Sequence, residues 1–240
     1  MTQRGLGGLR VFAGVFENHD YLWFSSFEIS KLAATYPVIH NYALSYALSQ
    51  YSHAFAQNSR PEYEDDLLRM PLYTTPARAT HRPTFVRLTQ NAINSKTERT
   101  DDAPRGVNTP NIGWRGVLEP MLISVPSTLD RGGKPPAGYE FYAFARRDYE
   151  PPAVVRLGKK GCAIRVSWSE VSVENMQFVS DAIEASHAVN PLDVAGEIAS
   201  YEPVMIPPHL LLGRAQIRND WFIRSGRHTI HVQKRLRPEA

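Results

Sequence analysis

The sequence predicts an α+β fold, because an alternating apolar strand is followed by one helical stretch and then by several more strands. That order suits a ferredoxin-like (RRM-type) sheet carrying insertions. In Leu9–Phe16, Leu9, Val11, Ala13 and Val15 alternate with Arg10, Phe12, Gly14 and Phe16. Apolar groups therefore fall on both faces, and the strand is expected at the centre of its sheet. From Val38 to about Tyr51 the spacing turns helical, with Ile39, Tyr42, Ala43, Tyr46 and Ala47 on one face and Leu44 and Leu48 beside it. Pro37 suits the helix start, where its missing N–H would be unpaired in any case.

Residues 57–82 are polar, and their acidic run EYEDD (62–66) reads as a solvated loop. Residues 83–93 (PTFVRLTQNAI) read as a strand, 94–113 as a polar, basic tip, and 114–125 (WRGVLEPMLISV) as the returning strand. Together they predict an extended β-hairpin, about 83–125, projecting from the body, although composition alone fits a surface loop equally well. After the turn RGGKPPAG (131–138), strands are expected at 139–144 and 153–168, the second folding around Gly158-Lys159-Lys160-Gly161. Residues 170–187 read as mildly helical and the Pro-rich 202–213 as irregular. A last hairpin, DWFIRS against HTIHVQKRL, turns at Ser225-Gly226-Arg227.

With 240 residues, 42% hydrophobic and 21% charged, the chain suits one domain, 1–240, with an ordinary core. No apolar run approaches the ~18 residues of a membrane span, and the first residues carry no small-residue cleavage site. A cytosolic (cytoplasmic) protein with no membrane contact is expected. The single cysteine, Cys162, excludes an internal disulfide and a cysteine-rich zinc site.

Net charge is only +3, but it is unevenly spread: 78–116 carries +4, 146–165 carries +4 and 214–240 carries +5, whereas 166–213 holds seven acids and no Lys or Arg. Such polarisation suggests one face for a polyanion and another for different partners, against the plainer reading of solvated loops with incidental arginines.

Chemistry-bearing motifs are sparse. Arg4-Gly5-Leu6-Gly7-Gly8 precedes a strand, whereas a phosphate-binding glycine loop follows one, and the GKKG turn lacks the remainder of a Walker motif. His228 and His231 would face opposite sides of a strand, and no paired-carboxylate or metal-binding pattern occurs. His40, Tyr42, Tyr46 and Lys31 would suit a metal-free ribonuclease. However, the tyrosines fall on the apolar face and His40 lies about 100° from Ile39, so core tyrosines with a capping or ligand-contacting histidine is the stronger reading.

The order of motifs resembles a known family. ENHDYLWFSSFEISKL followed by YPVIHNYALSYAL is similar to the N-terminal signature of the Csc-one proteins, the Cas-five-type subunit of type I-D CRISPR Cascade. Further matches are Tyr73-Thr74-Thr75-Pro76-Ala77, Asn91-Ala92, Gly113-Trp114-Arg115, Arg156-Leu157-Gly158-Lys159 and Asn190-Pro191-Leu192-Asp193. Departures are the hairpin tip at 95–110, a missing glycine at Phe27-Glu28-Ile29-Ser30 and the extended basic C-terminus. The resemblance implies an RRM-like palm with a β-hairpin thumb. It also implies a non-catalytic subunit of the antiviral surveillance ribonucleoprotein that caps the foot of the complex and holds the repeat-derived 5′ handle of the CRISPR RNA. Its implied partners are that RNA, the Cas-seven-type backbone subunit (Csc-two) and the large subunit Cas-ten-d, with target DNA near the PAM as a further contact.

Under that reading, residue type nominates Arg78, Arg87, Arg105, Arg115, Arg156, Lys159 and Lys160 for phosphate contacts. Trp114, with Tyr73 and Phe85, is nominated for stacking, and His40 and Asn41 for polar contacts to handle bases. No catalytic residue, metal or cofactor is expected. Two alternatives stand beside it: a metal-independent endoribonuclease that processes CRISPR RNA, and a protein-only adaptor.

Overall fold

The computed structural model describes residues 9–29, 32–49, 62–80, 83, 85–86, 90–91, 110–111, 117–118, 138–159 and 161–236. In chain order the first elements are β1 (Leu9–Asn18), β2 (Phe27–Ile29), β3 (Leu32–Ala34), β4 (Val38–Ile39), α1 (Asn41–Ser49), α2 (Tyr63–Arg69), β5 (Leu72–Thr74) and β6 (Ala77–Ala79). Short pairs β7 (Phe85–Val86), β8 (Gln90–Asn91), β9 (Pro110–Asn111) and β10 (Val117–Leu118) follow, then β11 (Tyr139–Arg146), β12 (Val154–Leu157) and β13 (Cys162–Val171). The chain closes with β14 (Met176–Val179), β15 (Ile183–Glu184), β16 (Glu197–Val204), β17 (Leu211–Arg218), β18 (Asp220–Ser225) and β19 (His228–His231).

The fold is β-rich with few helices, and its main sheet curls into a half-barrel. That sheet runs β12-β13-β1-β11-β6-β4, with β5 also paired to β11. As its two-sided pattern predicts, β1 is central, antiparallel to β11 on one side and to β13 on the other. Phe12 and Phe16 of β1 join Phe141, Ile164, Leu44 and Leu48 in the core beneath α1. Val11, from the opposite face, joins Tyr142, Phe144, Ile223 and Ile230 beneath the β18–β19 hairpin. One sheet therefore separates two cores, each filled by alternate residues of the same strands.

Gly14 marks the tightest point. A Cβ there would lie 2.4 Å from Phe141 Cζ, so Gly14→Ala is expected to overpack the sheet and cost about 1–3 kcal/mol. Urea denaturation tests this, and an unchanged midpoint would mean that the Phe141 ring swings aside freely.

Several expectations need correction. Pro37 does not open the helix: Val38–Ile39 pairs as a strand with β6, and α1 starts only at Asn41. Its buried face is Asn41, Leu44, Ser45 and Leu48, together with Tyr42 and Ser49, rather than the Ile39/Ala43/Tyr46 face. The reason is hydrogen bonding: Ser45 Oγ accepts from the Thr74 N–H at 3.0 Å, and Thr74 Oγ1 donates to the Asn41 carbonyl at 3.1 Å. Polar groups can thus face β5 without penalty. The acidic run at 62–66 enters a helix, α2, whose Asp66 is buried and accepts from Tyr46 Oη at 2.7 Å. Residues 170–187 hold strands instead of a helix, because β14 pairs with β18 and β15 with β17. The stretch 202–213 is half strand, Glu202–Val204 ending β16 and Leu211–Gly213 beginning β17, while 205–210 between them are irregular as expected and hold a cis peptide at Pro207-Pro208.

The hairpins expected at 153–168 and at the end of the chain are present as β12–β13 and β18–β19. Within 83–125, β7 pairs with β10 and, nested inside, β8 pairs with β9, both antiparallel. The tip at 95–109 lies outside the described residues. Among the described residues no helix is long and apolar enough to cross a membrane.

Candidate functional site

Three concavities adjoin along the β4–β6 edge of the main sheet, where Val38 is in register with Arg78. The first is an aromatic groove of about 400 Å³, walled by Phe24, His40, Tyr42, Tyr46 and Tyr63, with Lys159 at its margin and Pro207-Pro208 opposite. The second, about 450 Å³, shares Val38 with the groove and adds Arg78, Thr80, Pro83 and Arg214. The third, about 230 Å³, shares Arg78 and Thr80 with the second and adds Glu140, Tyr142 and His187. The three therefore lie side by side as a track along this edge, with Val38 between the first two and Pro83, at the start of the 83–125 segment, lining the second.

Two cations flank this track. Gly158 (φ +81°) comes so close to Trp23 that a Cβ would sit 2.7 Å from the Trp23 carbonyl. Its left-handed backbone suits glycine and lets the Lys159 N–H donate to the Trp23 carbonyl at 2.9 Å. Lys159 Nζ then stands 5.3 Å from the centre of the Trp23 ring, a cation–π distance. Arg78, on β6, is exposed and has no ion pair or side-chain hydrogen bond among the described residues. Its neighbour in the second cleft, Arg214, is held by Glu184 and Glu202.

The groove is built of packed rings. Tyr42 lies 4.7 Å from Tyr63 and 4.8 Å from His40, and His40 meets His209 edge-on at 4.8 Å. His40 Nδ1 accepts the Tyr42 backbone N–H at 3.2 Å, so in the neutral ring the proton sits on Nε2. That Nε2 is buried without a hydrogen-bond partner among the described residues. Burial, assisted by His209, pushes the His40 pKa down to about 3, and burial also raises the Tyr42 and Tyr63 hydroxyls. Near neutral pH the groove therefore offers an uncharged imidazole and neutral phenols.

Beneath the groove a polar network ties three sequence segments together. Asn41 Nδ2 donates to Tyr73 Oη at 2.8 Å, and Tyr73 Oη donates to Asp193 Oδ1 at 3.0 Å. Asn190 Nδ2 donates to Asn41 Oδ1 at 3.3 Å. Asn190 Oδ1 caps the 3-10 turn Pro191–Asp193 through the Leu192 N–H and also accepts from His209 Nε2 at 2.9 Å. Burial pushes the Asp193 carboxyl up to about 7 against the opposing pull of Tyr73, Arg235 and Lys234.

Of the residues nominated from sequence, the fold brings His40 and Lys159 to the groove and Arg78 to the second and third clefts. Asn41 is wholly buried with its amide committed inside the chain. Arg156 donates to the Gly161 carbonyl at 2.9 Å across its hairpin turn. Tyr73, nominated for stacking, is buried with its hydroxyl in the network, so it presents no open face. Arg87, Arg105, Trp114, Arg115 and Lys160 lie outside the described residues. Sequence reasoning missed Tyr63, hidden in what read as an acidic loop. Its Tyr63-Asp66-Leu67-Met70 spacing was the available helical signal. Among the described residues no group of three or more His, Cys, Asp or Glu is arranged to hold a metal ion.

No curated protein matches the chain. The family model described as type I-D CRISPR-associated protein Cas5/Csc1 matches residues 9–239. With nearly its whole length matched, and with the motif order that suggested the same relatives, the chain belongs to the type I-D CRISPR-associated Cas5/Csc1 family.

Proposed function

We propose that this protein is a non-catalytic RNA-binding subunit of the type I-D Cascade, holding the 5′ handle of the CRISPR RNA at the foot of the complex. The observation that carries this reading is the track itself: three adjoining concavities flanked by Lys159 and by Arg78, exposed and without an ion pair among the described residues, beside an aromatic wall. Single strands are held in this way, with cations on the phosphates and π faces for the bases. Topology lends further support. β1, α1 and β5 form a crossover with β11 between the two parallel strands, and β13-β1-β11-β5 is the strand order of an RRM-like palm. In the second crossover, from β11 to β13, the chain-order place of an RRM's second helix is taken by β12, which joins the sheet edge beside β13 instead of packing on its face. The nested β7–β10 and β8–β9 pairs suit a thumb. On this reading the acidic 166–213 segment is left for protein partners, the Cas-seven-type backbone subunit and the large subunit Cas-ten-d.

The absence of catalysis is supported by His40, which burial holds neutral, whereas a general acid or base works best with a pKa near the operating pH. Arg78→Ala is expected to weaken binding of a single-stranded handle RNA and to lower the salt dependence, d log K/d log[salt], by about 0.7. An unchanged affinity and slope would remove Arg78 from the RNA path. Metal-free cleavage of repeat RNA at one phosphodiester, abolished by His40→Ala, would overturn the non-catalytic part and favour the endoribonuclease.

A further inference from the structure

We infer that the aromatic groove is a pocket for one unstacked nucleobase of the bound RNA, with Tyr63 as its platform, His40 as its hydrogen-bond donor and Lys159 on its phosphate. This rests on the RNA-binding reading above and names what the groove end of the track takes. Three observations converge. The groove is walled mainly by rings and prolines, and its volume lies in the range of small-ligand sites, ~300–1,000 Å³. Every base has a π face, and Tyr63 at the groove is half-buried, with ring surface still exposed. The buried Nε2–H of His40, whose tautomer is set by the Tyr42 N–H, has no acceptor among the described residues. A buried orphan donor is costly, by about 1–3 kcal/mol, and a base carbonyl or ring nitrogen would satisfy it.

The distribution of charge separates base from backbone. His40 stays uncharged, so the groove wall suits a neutral polar edge rather than a phosphate. The cation is at the margin, where Lys159 is fixed by the Gly158–Trp23 contact. A nucleotide laid across the groove meets its matching chemistry at both ends.

The test uses the full-length protein and fluorescence anisotropy with a single-stranded handle RNA and a series carrying one abasic site at successive positions. At one position the abasic change is expected to weaken wild-type binding about 10-fold, in keeping with ~1–3 kcal/mol per stacked base. Tyr63→Ala should lose about as much on intact RNA and nothing further on that abasic RNA, while Tyr63→Phe, which keeps the ring, should bind as wild type. His40→Phe, which keeps a ring but no donor, should weaken intact RNA and be silent on the same abasic RNA. Wild-type binding with no position coupled to Tyr63 would overturn the pocket while leaving the RNA reading intact, whereas no wild-type binding at all would sink that reading itself. If Tyr63→Ala left RNA binding untouched but abolished association with a partner subunit, the occupant would be a protein segment and the inference wrong.

Discussion

Asn41→Ala is expected to destabilise the fold by roughly 2–4 kcal/mol, more than any change at an exposed position of the track. Removing the amide strands two buried groups at once: Tyr73 Oη loses its donor, and Asn190 Nδ2 loses its acceptor. Each unsatisfied group costs about 1–3 kcal/mol, and little water reaches a residue with no exposed surface. The damage also spreads to the rim of the groove, because Asn190 holds His209. Chemical denaturation measures the loss. Weakened RNA binding with an unchanged denaturation midpoint would give Asn41 a direct contact to the ligand and contradict the account of the network given above.

His40-Asn41 also illustrates what could be read in advance. The dipeptide stood out because hydrophobic spacing did not explain it, and the fold resolves it into two unlike roles: one ring at the groove and one amide in the interior. Spacing located β1 and the β12–β13 and β18–β19 hairpins well, since these are short-range patterns of alternation around Gly-containing turns. It misjudged the face of α1 because hydropathy ranks Ser45 and Asn41 as outward-facing. Only contact with Thr74, far along the chain, makes them inward-facing. It likewise missed β14, whose backbone is completed by β18 some 40 residues on. Long-range hydrogen bonds override weak local preference, and they leave no periodic trace. The groove was illegible for the same reason: Phe24, Tyr63, Lys159 and Pro207 have no common spacing.

Lowering the pH from 6.5 to 4 is expected to cost about 1.4 kcal/mol of stability per pH unit, and Asp193→Asn should roughly double that slope. Burial holds His40 near 3 and His187 near 4, both below the ordinary 6.5. Their stabilising contributions are complete above 6.5 and are lost as the pH falls towards the folded values. Each histidine contributes about 1.4 kcal/mol per unit in this window. Asp193 opposes them: raised from 3.8 to about 7, it binds its proton more tightly in the folded state. Its contribution is therefore complete below 3.8 and disappears as the pH rises through 7. Two protons against one leave a net of one, and the asparagine variant removes the opposing term. Half-buried His209 and His228 are shifted down as well and act in the same sense, so the slope from one net proton is a lower bound. Denaturation midpoints of wild type and variant across pH 4–8 check the prediction, and parallel profiles would show that Asp193 is ionised throughout.

The network of Asn41, Tyr73, Asn190 and Asp193 has an implication for how kinship and cargo relate in this protein. These residues come from the HNY, YTT and NPLD segments, the same words by which the chain resembles its relatives. Their side chains face one another instead of any visitor, so this part of the signature certifies an architecture. Of the groove residues, Tyr63 lies outside those segments, whereas His40 belongs to HNY and Lys159 to the equally family-like RLGK. On the RNA-binding proposal, recognition can therefore be retuned at Tyr63 while the inherited lettering stays the same.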